Sequence, residues 1–404
     1  MAAIYVIDTA EYREWLANFP LQYQPTAELL VNALHYLDES TFRSELTEQL
    51  VSDLTGGVIM PPALIVPART GPEMGHKGSG RAVIFENVWP HSALSADRPG
   101  SEALCANIIR NLQKGRASVL GLVPVPRTLE DLRVRRVRSL VLVGDYAGSG
   151  SQVIEAAKIW TRNPTIRSWR SYGLLHIHVV VHSAAVVAVE AVGRAAGIDR
   201  FSMVRSAPDF NSAEWTAEQR VDVELLCTKF ARHRDRGGLG WDGSAGLFIM
   251  QHTTPNNLPE ILWQTKAGAS ERPDGWYPLF PNRRLPESLT AAFAARNEKM
   301  RERTVGERPG LDKIVGPALS PVLFALRRGL RTPEQISAFS DISLADSKRM
   351  LEDLVSGGYA DRRGYLTDQG IRLLESGVQP MSRFRLDGSD KHYYPQRLRR
   401  VGDV

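Results

Sequence analysis

The sequence predicts an α/β fold: a mainly parallel sheet with helices on both faces, followed by a C-terminal winged helix-turn-helix domain. Three observations predict it. Short, continuous apolar runs alternate with helical patterns, as strands buried on both faces do. One of these runs, Ser139–Asp145, passes through a loop of small residues into an alanine-rich helical stretch. Beyond about residue 310, capped helices precede a short ribbon centred on Arg363-Gly364.

A chain of 404 residues is long enough for two domains with a well-buried core. Its composition, 43% hydrophobic and 24% charged, is that of a soluble globular protein. Cys105 and Cys227 form no CxxC and have no histidine at ligand spacing, so neither a disulfide framework nor a zinc finger is expected. The first residues lack a basic and apolar leader pattern, and a cytoplasmic setting is the expectation. The longest apolar stretch, Leu174–Val192, contains His176, His178, His182 and Glu190. It reads as a strand and a helix, with no membrane partner.

The elements follow in order. Residues 10–55 read as helices, the first main one running from Pro25 to Leu37 and the next ending at Gly56-Gly57. Strands are predicted at Ala63–Ala68, Ala82–Phe85, Ser118–Val123, Ser139–Asp145, Tyr172–His182 and Gly246–His252. Arg69–Gly80 holds four glycines, and Arg69 and Lys77 make it either a second anion site or a plain glycine loop. Arg127–Arg138 carries five arginines just before the central strand. They either raise the local potential or form a solvated face.

The loop after Asp145 has the chemistry of a phosphate cradle. Gly148 and Gly150 let successive N–H groups of residues 147–151, starting with Ala147, turn toward one anion. Ser149 and Ser151 add hydroxyl donors, and the following helix, about Ser151–Arg162, aims its positive end there. Asp145 suits sugar hydroxyls. No lysine follows Gly150, which excludes a nucleoside-triphosphate loop, and the glycines are too close for a dinucleotide fingerprint. The plain alternative is a strand-to-helix turn of small residues.

A second constellation lies at Gly246–Trp263, where a buried run delivers His252 and then Pro255-Asn256-Asn257. In an open parallel sheet this loop and the Asp145 loop should share one crevice. Asn256 and Asn257 offer amides for a base or sugar, and His252 a donor or acid. The alternative is a turn whose asparagines satisfy their own backbone. His176, His178 and His182 share one strand face; core histidines are a better account than a metal site, and only His182 should reach the crevice.

The charge excess sits late in the chain. Arg301–Val404 carries 18 basic and 14 acidic residues, and Arg383–Arg400 six against two. Such a tail suits nucleic acid or an acidic protein, or merely keeps the chain soluble. The third helix of the winged unit, with Asp346, Lys348, Arg349, Glu352 and Asp353, is nearly neutral. Protein contact and DNA contact are both open to it. A break near residue 305 divides the chain into residues 1–300, a winged helix at 310–380 and a basic tail at 381–404.

The segment Leu140–Gly150 resembles the PRPP motif of type I phosphoribosyltransferases, with Gly144 in place of the first of two acids and Asp145 as the second. The blocks Trp15–Phe19, His252–Trp263 and Gly275–Arg283 are similar to the PRTase-CE family, phosphoribosyltransferase-like proteins of prokaryotic antiphage islands and some retron loci. That resemblance covers about residues 10–285. It implies a type I phosphoribosyltransferase-like fold and an effector acting on PRPP or a nucleotide at the anomeric carbon of a phosphorylated ribose. Asp145 would hold the ribose, the 147–151 loop the phosphate, Arg69 or Lys77 a leaving pyrophosphate, and Mg2+ would bridge phosphate oxygens. The loss of the acid at 144 leaves a second expectation, a catalytically silent nucleotide sensor or nucleic-acid-binding subunit docked on a reverse transcriptase and its RNA–DNA product. The C-terminal winged helix fits the retron-associated members. A transcription regulator is the third expectation, disfavoured by the near-neutral helix.

Overall fold

The computed structural model describes residues 6–70, 101–126, 128–233, 238–265, 275–306, 319–340 and 342–377. The Lys77 loop, the strand expected at Ala82–Phe85 and the basic tail lie outside the described residues.

The central sheet is built from β2 (Ala63–Pro67), β3 (Ser139–Ala147), β4 (His176–Ala184) and β5 (Arg200–Ser206), all parallel, in the order β2-β3-β4-β5. Helices α3 (Glu39–Thr55) and α4 (Ser101–Leu120) cover one face, where Phe42, Leu46, Ile108 and Ile109 pack on Val141, Val143 and Val180. Helices α6 (Ser151–Thr161) and α8 (Val186–Gly193) cover the other with Val153, Ala156, Trp160 and Ala188 against Leu140, Leu142, Val179 and Val181. The alternation of β4 between these clusters is why its sequence is apolar throughout.

Local signals set the helix ends. Asp38 caps α3 by accepting from Thr41 N at 2.8 Å. A capping box, Thr128 with Asp131, starts α5 (Leu129–Val134), and Asn163 followed by Pro164 starts α7 (Pro164–Ser171). Another box, Thr216 with Gln219, starts α9 (Ala217–Phe230).

Three expectations are corrected. The helix read through Leu37 ends at Asn32: α1 (Ala10–Leu16) and α2 (Gln24–Asn32) are followed by β1 (His35–Leu37), which pairs in parallel with β6 (Phe248–Met250) as a separate two-stranded sheet. His35 N donates to Leu247 O at 2.8 Å, and this distant partner overrides the local helical spacing. Of the strand expected at Ser118–Val123, Ser118–Leu120 is the end of α4, and Gly121–Val123 makes a single parallel bridge to Ala63. Strand β5 was not foreseen, because Arg200, Ser202 and Arg205 break its apolar pattern.

The C-terminal unit has its own core and comprises α11 (Leu319–Arg327), α12 (Pro333–Ser340), α13 (Leu344–Ser356) and α14 (Asp368–Gly377), preceded by α10 (Glu287–Gly306). Ser343 caps α13, and Ala360 bridges Leu366 around Gly364, which forms the expected wing turn. Helices α12 and α13 pack on β5, and Ser206 N donates to Ser337 Oγ at 3.2 Å. The winged helix thus covers the outer edge of the sheet. No described helix is long and apolar enough to cross a membrane.

His176 and His178 share one face as expected, their rings 6.5 Å apart. Burial, then the neighbouring His176 and Arg200, push His178 down to about 4. The unfolded chain, with His178 near 6.5, therefore binds a proton more readily than the folded one. Stability from this residue is complete above pH 6.5 and is lost as pH falls toward about 4. We expect a loss of roughly 3 kcal/mol across that window, at about 1.4 kcal/mol per pH unit. Urea unfolding of the parent and of His178→Leu at several pH values checks this, since the variant should lack the His178 share of the slope.

Candidate active site

The two constellations read from sequence meet in one cleft of about 450 Å³ at the C-terminal end of the sheet. Its lining includes Asp145, Ala147, Gly148, Ser149, Gly150 and Ser151 on one side and Thr253, Thr254, Asn256 and Asn257 on the other. β3 delivers the first set and β6 the second.

The cradle is open toward this space. Among the described residues, the N–H groups of Gly148, Ser149 and Gly150 donate to no backbone carbonyl. Ser149 Oγ and Ser151 Oγ lie 2.9 Å apart, so their hydroxyls converge. Gly150 has φ +79° as the residue before α6, a left-handed conformation that turns the chain into the helix. Gly148 is glycine for a different reason. A Cβ there would lie 1.9 Å from Asn257 Oδ1, so the second loop is packed directly on the first.

Asp145 is held from two sides. Its Oδ1 accepts from Tyr146 N at 2.7 Å, and its Oδ2 lies 3.2 Å from His252 Nε2. The His252 side chain is 4% exposed and does not line the cleft; it stands behind Asp145 and orients it. With Nε2–H donating, His252 Nδ1 has no partner among the described residues.

Beneath this pair, Phe42 lies between two imidazoles, with ring centroids 5.0 Å from His252 and 5.1 Å from His182. His182 does not reach the crevice. It is fully buried and bonds Glu45 Oε2 at 3.0 Å, while Arg205 grips the same carboxylate through Nε and Nη2 at 2.8 and 2.6 Å. Burial works against the charged form of Glu45, but hydrogen bonds from Arg205 and His182 outweigh it and hold the carboxyl down to about 2. Burial lowers His182 in turn.

Gly144, where the first acid of the PRPP motif would stand, points into packing. A Cβ there would meet Val181 Cγ1 at 3.3 Å, with Ala68 Cβ and Val153 Cγ1 at 3.9 Å. Asn256 is exposed at the mouth, whereas Asn257 is 2% exposed and shapes the wall. Arg69 follows β2 at the same end of the sheet, outside the cleft lining. Lys77 lies outside the described residues.

Sequence reasoning missed Trp241, Thr254 and Arg283 in the cleft wall. Trp241 N donates to Asn256 O at 2.9 Å, which sets the indole, 54% exposed, at the mouth. Arg283 follows Asn282, and both adopt left-handed φ of 53° and 55°. The Gly240–Gly243 cluster was the available signal for the first turn, and nothing in the local sequence signals the second.

Gly148→Ala should therefore cost about 1–3 kcal/mol of stability through overpacking against Asn257 and remove ligand-induced stabilisation. Gly115→Ala, in α4 with nothing within 4 Å of the new Cβ, is the control and should be neutral or slightly stabilising. Thermal unfolding of the two variants, with and without nucleotide, checks the contrast.

No curated protein matches the chain, and no solved structure does. A family model described as wHTH-PRTase associated matches residues 321–400, the region of the winged helix. A second, described as PRTase-CE, matches residues 12–282, which include both walls of the cleft. The chain belongs to the PRTase-CE family.

Proposed function

We propose that the cleft binds a phosphorylated ribose, as PRPP or a nucleotide, and acts at its anomeric carbon. The observation that carries this is the shared cleft, with a phosphate cradle on one wall and a carboxylate beside it. The N–H groups of residues 147–151 and the Ser149 and Ser151 hydroxyls hold the 5′-phosphate. Asp145, oriented by His252, accepts hydrogen bonds from the ribose hydroxyls. The bond from C1′ to pyrophosphate or base breaks, the leaving group keeps the electron pair, and water or an acceptor forms the new bond to C1′. Positive charge builds on the ring in between, so positioning and leaving-group electrostatics carry most of the acceleration. Arg283, lining the cleft, is placed to meet the leaving anion, with Arg69 a further candidate at the same end of the sheet.

Asp145 is the one carboxylate among the described cleft-lining residues, and no group of three or more metal-ligating side chains gathers among the described residues. That donor set fits Mg2+ that would be held by ligand phosphate oxygens and water, with Asp145 left to the ribose hydroxyls. Bound so, Mg2+ would supply charge neutralisation on the leaving phosphates.

Family membership and the winged-helix region in the same chain support a role as effector of a retron-type antiphage system. In that setting the winged helix and basic tail dock on a reverse transcriptase or its RNA–DNA product. A silent nucleotide sensor is the second reading, favoured by Gly144 in place of the first acid, where a Cβ would require Val181 to shift by a few tenths of an ångström.

The test incubates purified chain with Mg2+ and PRPP or nucleotides and follows products and thermal shift. Asp145→Asn should lower turnover by about 100-fold or more. Equal turnover in the variant overturns the assignment, and stabilisation without product selects the sensor.

A further inference from the structure

The arginine-rich run before β3 does not raise the potential at the cradle. Arg138 precedes Ser139, the first residue of β3, and the cradle follows Ala147, the last. A nine-residue strand separates the two by about 25 Å. At that far end the arginines border a second cleft of about 760 Å³, larger than the first. Arg133, Arg136 and Arg138 line it beside Leu132, Val137, Trp169 and Leu174.

We propose that this cleft, between α5 and α7, binds single-stranded nucleic acid, its guanidinium groups on the phosphates and its apolar wall against the bases. Four observations carry the assignment. The first is charge. Glu130 is the one carboxylate lining the cleft, and Arg133 lies 3.8 Å from it. Arg136 and Arg138 are exposed, and their side chains make no hydrogen bond or ion pair among the described residues. The second is the apolar surface beside these charges. Of the lining residues, Leu174 is 59% exposed, and the Trp169 indole is half-buried in the wall beside Leu132 and Val137. Cations next to an aromatic wall suit a ligand that is anionic along one side and flat and apolar along the other.

The third observation is the backbone at Arg136. Arg136 N donates to Arg133 O and Val137 N to Leu132 O, the paired bonds that close a helix on a left-handed residue. Glycine is the usual occupant of that position, yet here an arginine takes φ +51°. A guanidinium thus stands on the cleft at a position where glycine would be conformationally cheaper, a strain of the kind found at functional sites. The fourth is shape. The site is a cleft, and unpaired bases can leave the strand axis and enter one. None of this draws on the phosphoribosyltransferase reading of the other cleft.

The experiment uses the full chain and fluorescence anisotropy with a labelled oligothymidylate of about 16 nucleotides, titrated between about 50 and 200 mM salt. The test variant is Arg136→Asn/Arg138→Gln, in which asparagine tolerates the left-handed backbone and both sites are exposed, so folding is preserved. We expect binding to weaken at least about tenfold at low salt. The logarithmic salt slope should become shallower by about 1.4, at roughly 0.7 per lost phosphate contact on a single strand. Trp169→Phe, which keeps a ring in the wall, should bind at intermediate affinity, and Lys348→Gln/Arg349→Gln in α13 should bind like the parent. Unchanged affinity and slope in the arginine variant overturn the proposal. So does loss of binding in the α13 variant alone, which would put the strand on the winged helix, and so does competition by polyglutamate as effective as by unlabelled oligonucleotide, which would make the occupant an acidic peptide.

Discussion

The packing of Asn257 over Gly148 is the contact on which the candidate active site depends. It joins two loops that leave different sheets, β3 in one and β6 in the other. Asn257 O accepts from Gly246 N at 2.9 Å, so the same residue also fixes the chain entering β6. Behind it Leu258, Ile261 and Leu262 are fully buried in a core shared with Trp15, Phe19, Trp276 and Phe280. Ile261 O accepts from Trp15 Nε1 at 2.8 Å and from Trp276 Nε1 at 3.1 Å, and Asn18 Nδ2 donates to Tyr277 O at 2.8 Å. The N-terminal helices and the Gly275–Arg283 segment are thus a brace for the asparagine loop, and the sequence blocks that mark the family are the parts of that brace.

A second layer supports Asp145 from within. Glu45 from α3, His182 from β4 and Arg205 from β5 form one buried polar cluster, with Phe42 between it and His252. A buried ion pair is weak evidence for stability, because desolvation opposes the attraction. Its value here is geometric. It ties one end of α3 to two strands, and the first turn of that helix in turn receives Gln251 Oε1, which accepts from Glu39 N at 2.9 Å next to His252. The carboxylate facing the cleft is therefore placed by a chain of contacts running from the sheet through α3 to β6.

Much of this was legible in the sequence where one short segment carries the whole signal. Ser139–Asp145, the glycine loop and the helix after it depend on local chemistry and are where the pattern put them. The sharing of one cleft by the Asp145 and Asn257 loops followed from the rule for parallel sheets. What failed depended on distant partners. β1 is three residues that become a strand only because β6 pairs with them. β5 is an edge strand, so its polar residues are tolerated and its apolar alternation is lost. Trp241 and Arg283 enter the cleft through left-handed turns; Gly240 and Gly243 signal the first, while the second has no glycine to announce it. The arginines before β3 read either as raising the local potential or as a solvated face, and the strand carries them away from the cradle at its other end.

The same edge strand explains how the winged helix relates to the rest. β5 pairs with β4 on one side and would otherwise present unpaired backbone on the other. Ser337 Oγ accepts from Ser206 N and donates to Ile342 O, so one hydroxyl joins the sheet edge to the turn between α12 and α13. Leu344, the first residue of α13, packs into the core on the α6 side of the sheet. The helix pair that reads DNA in winged helices is here also the cover of a sheet edge. Its outward face keeps Lys348, Arg349, Glu352 and Asp353, with Arg349 at 2.7 Å from Asp346. A surface so balanced in charge gains little from a phosphate backbone. The domain is thus anchored to the sheet edge through this helix pair, and in the proposal above Arg136 and Arg138 of the far cleft, not this face, meet the single strand.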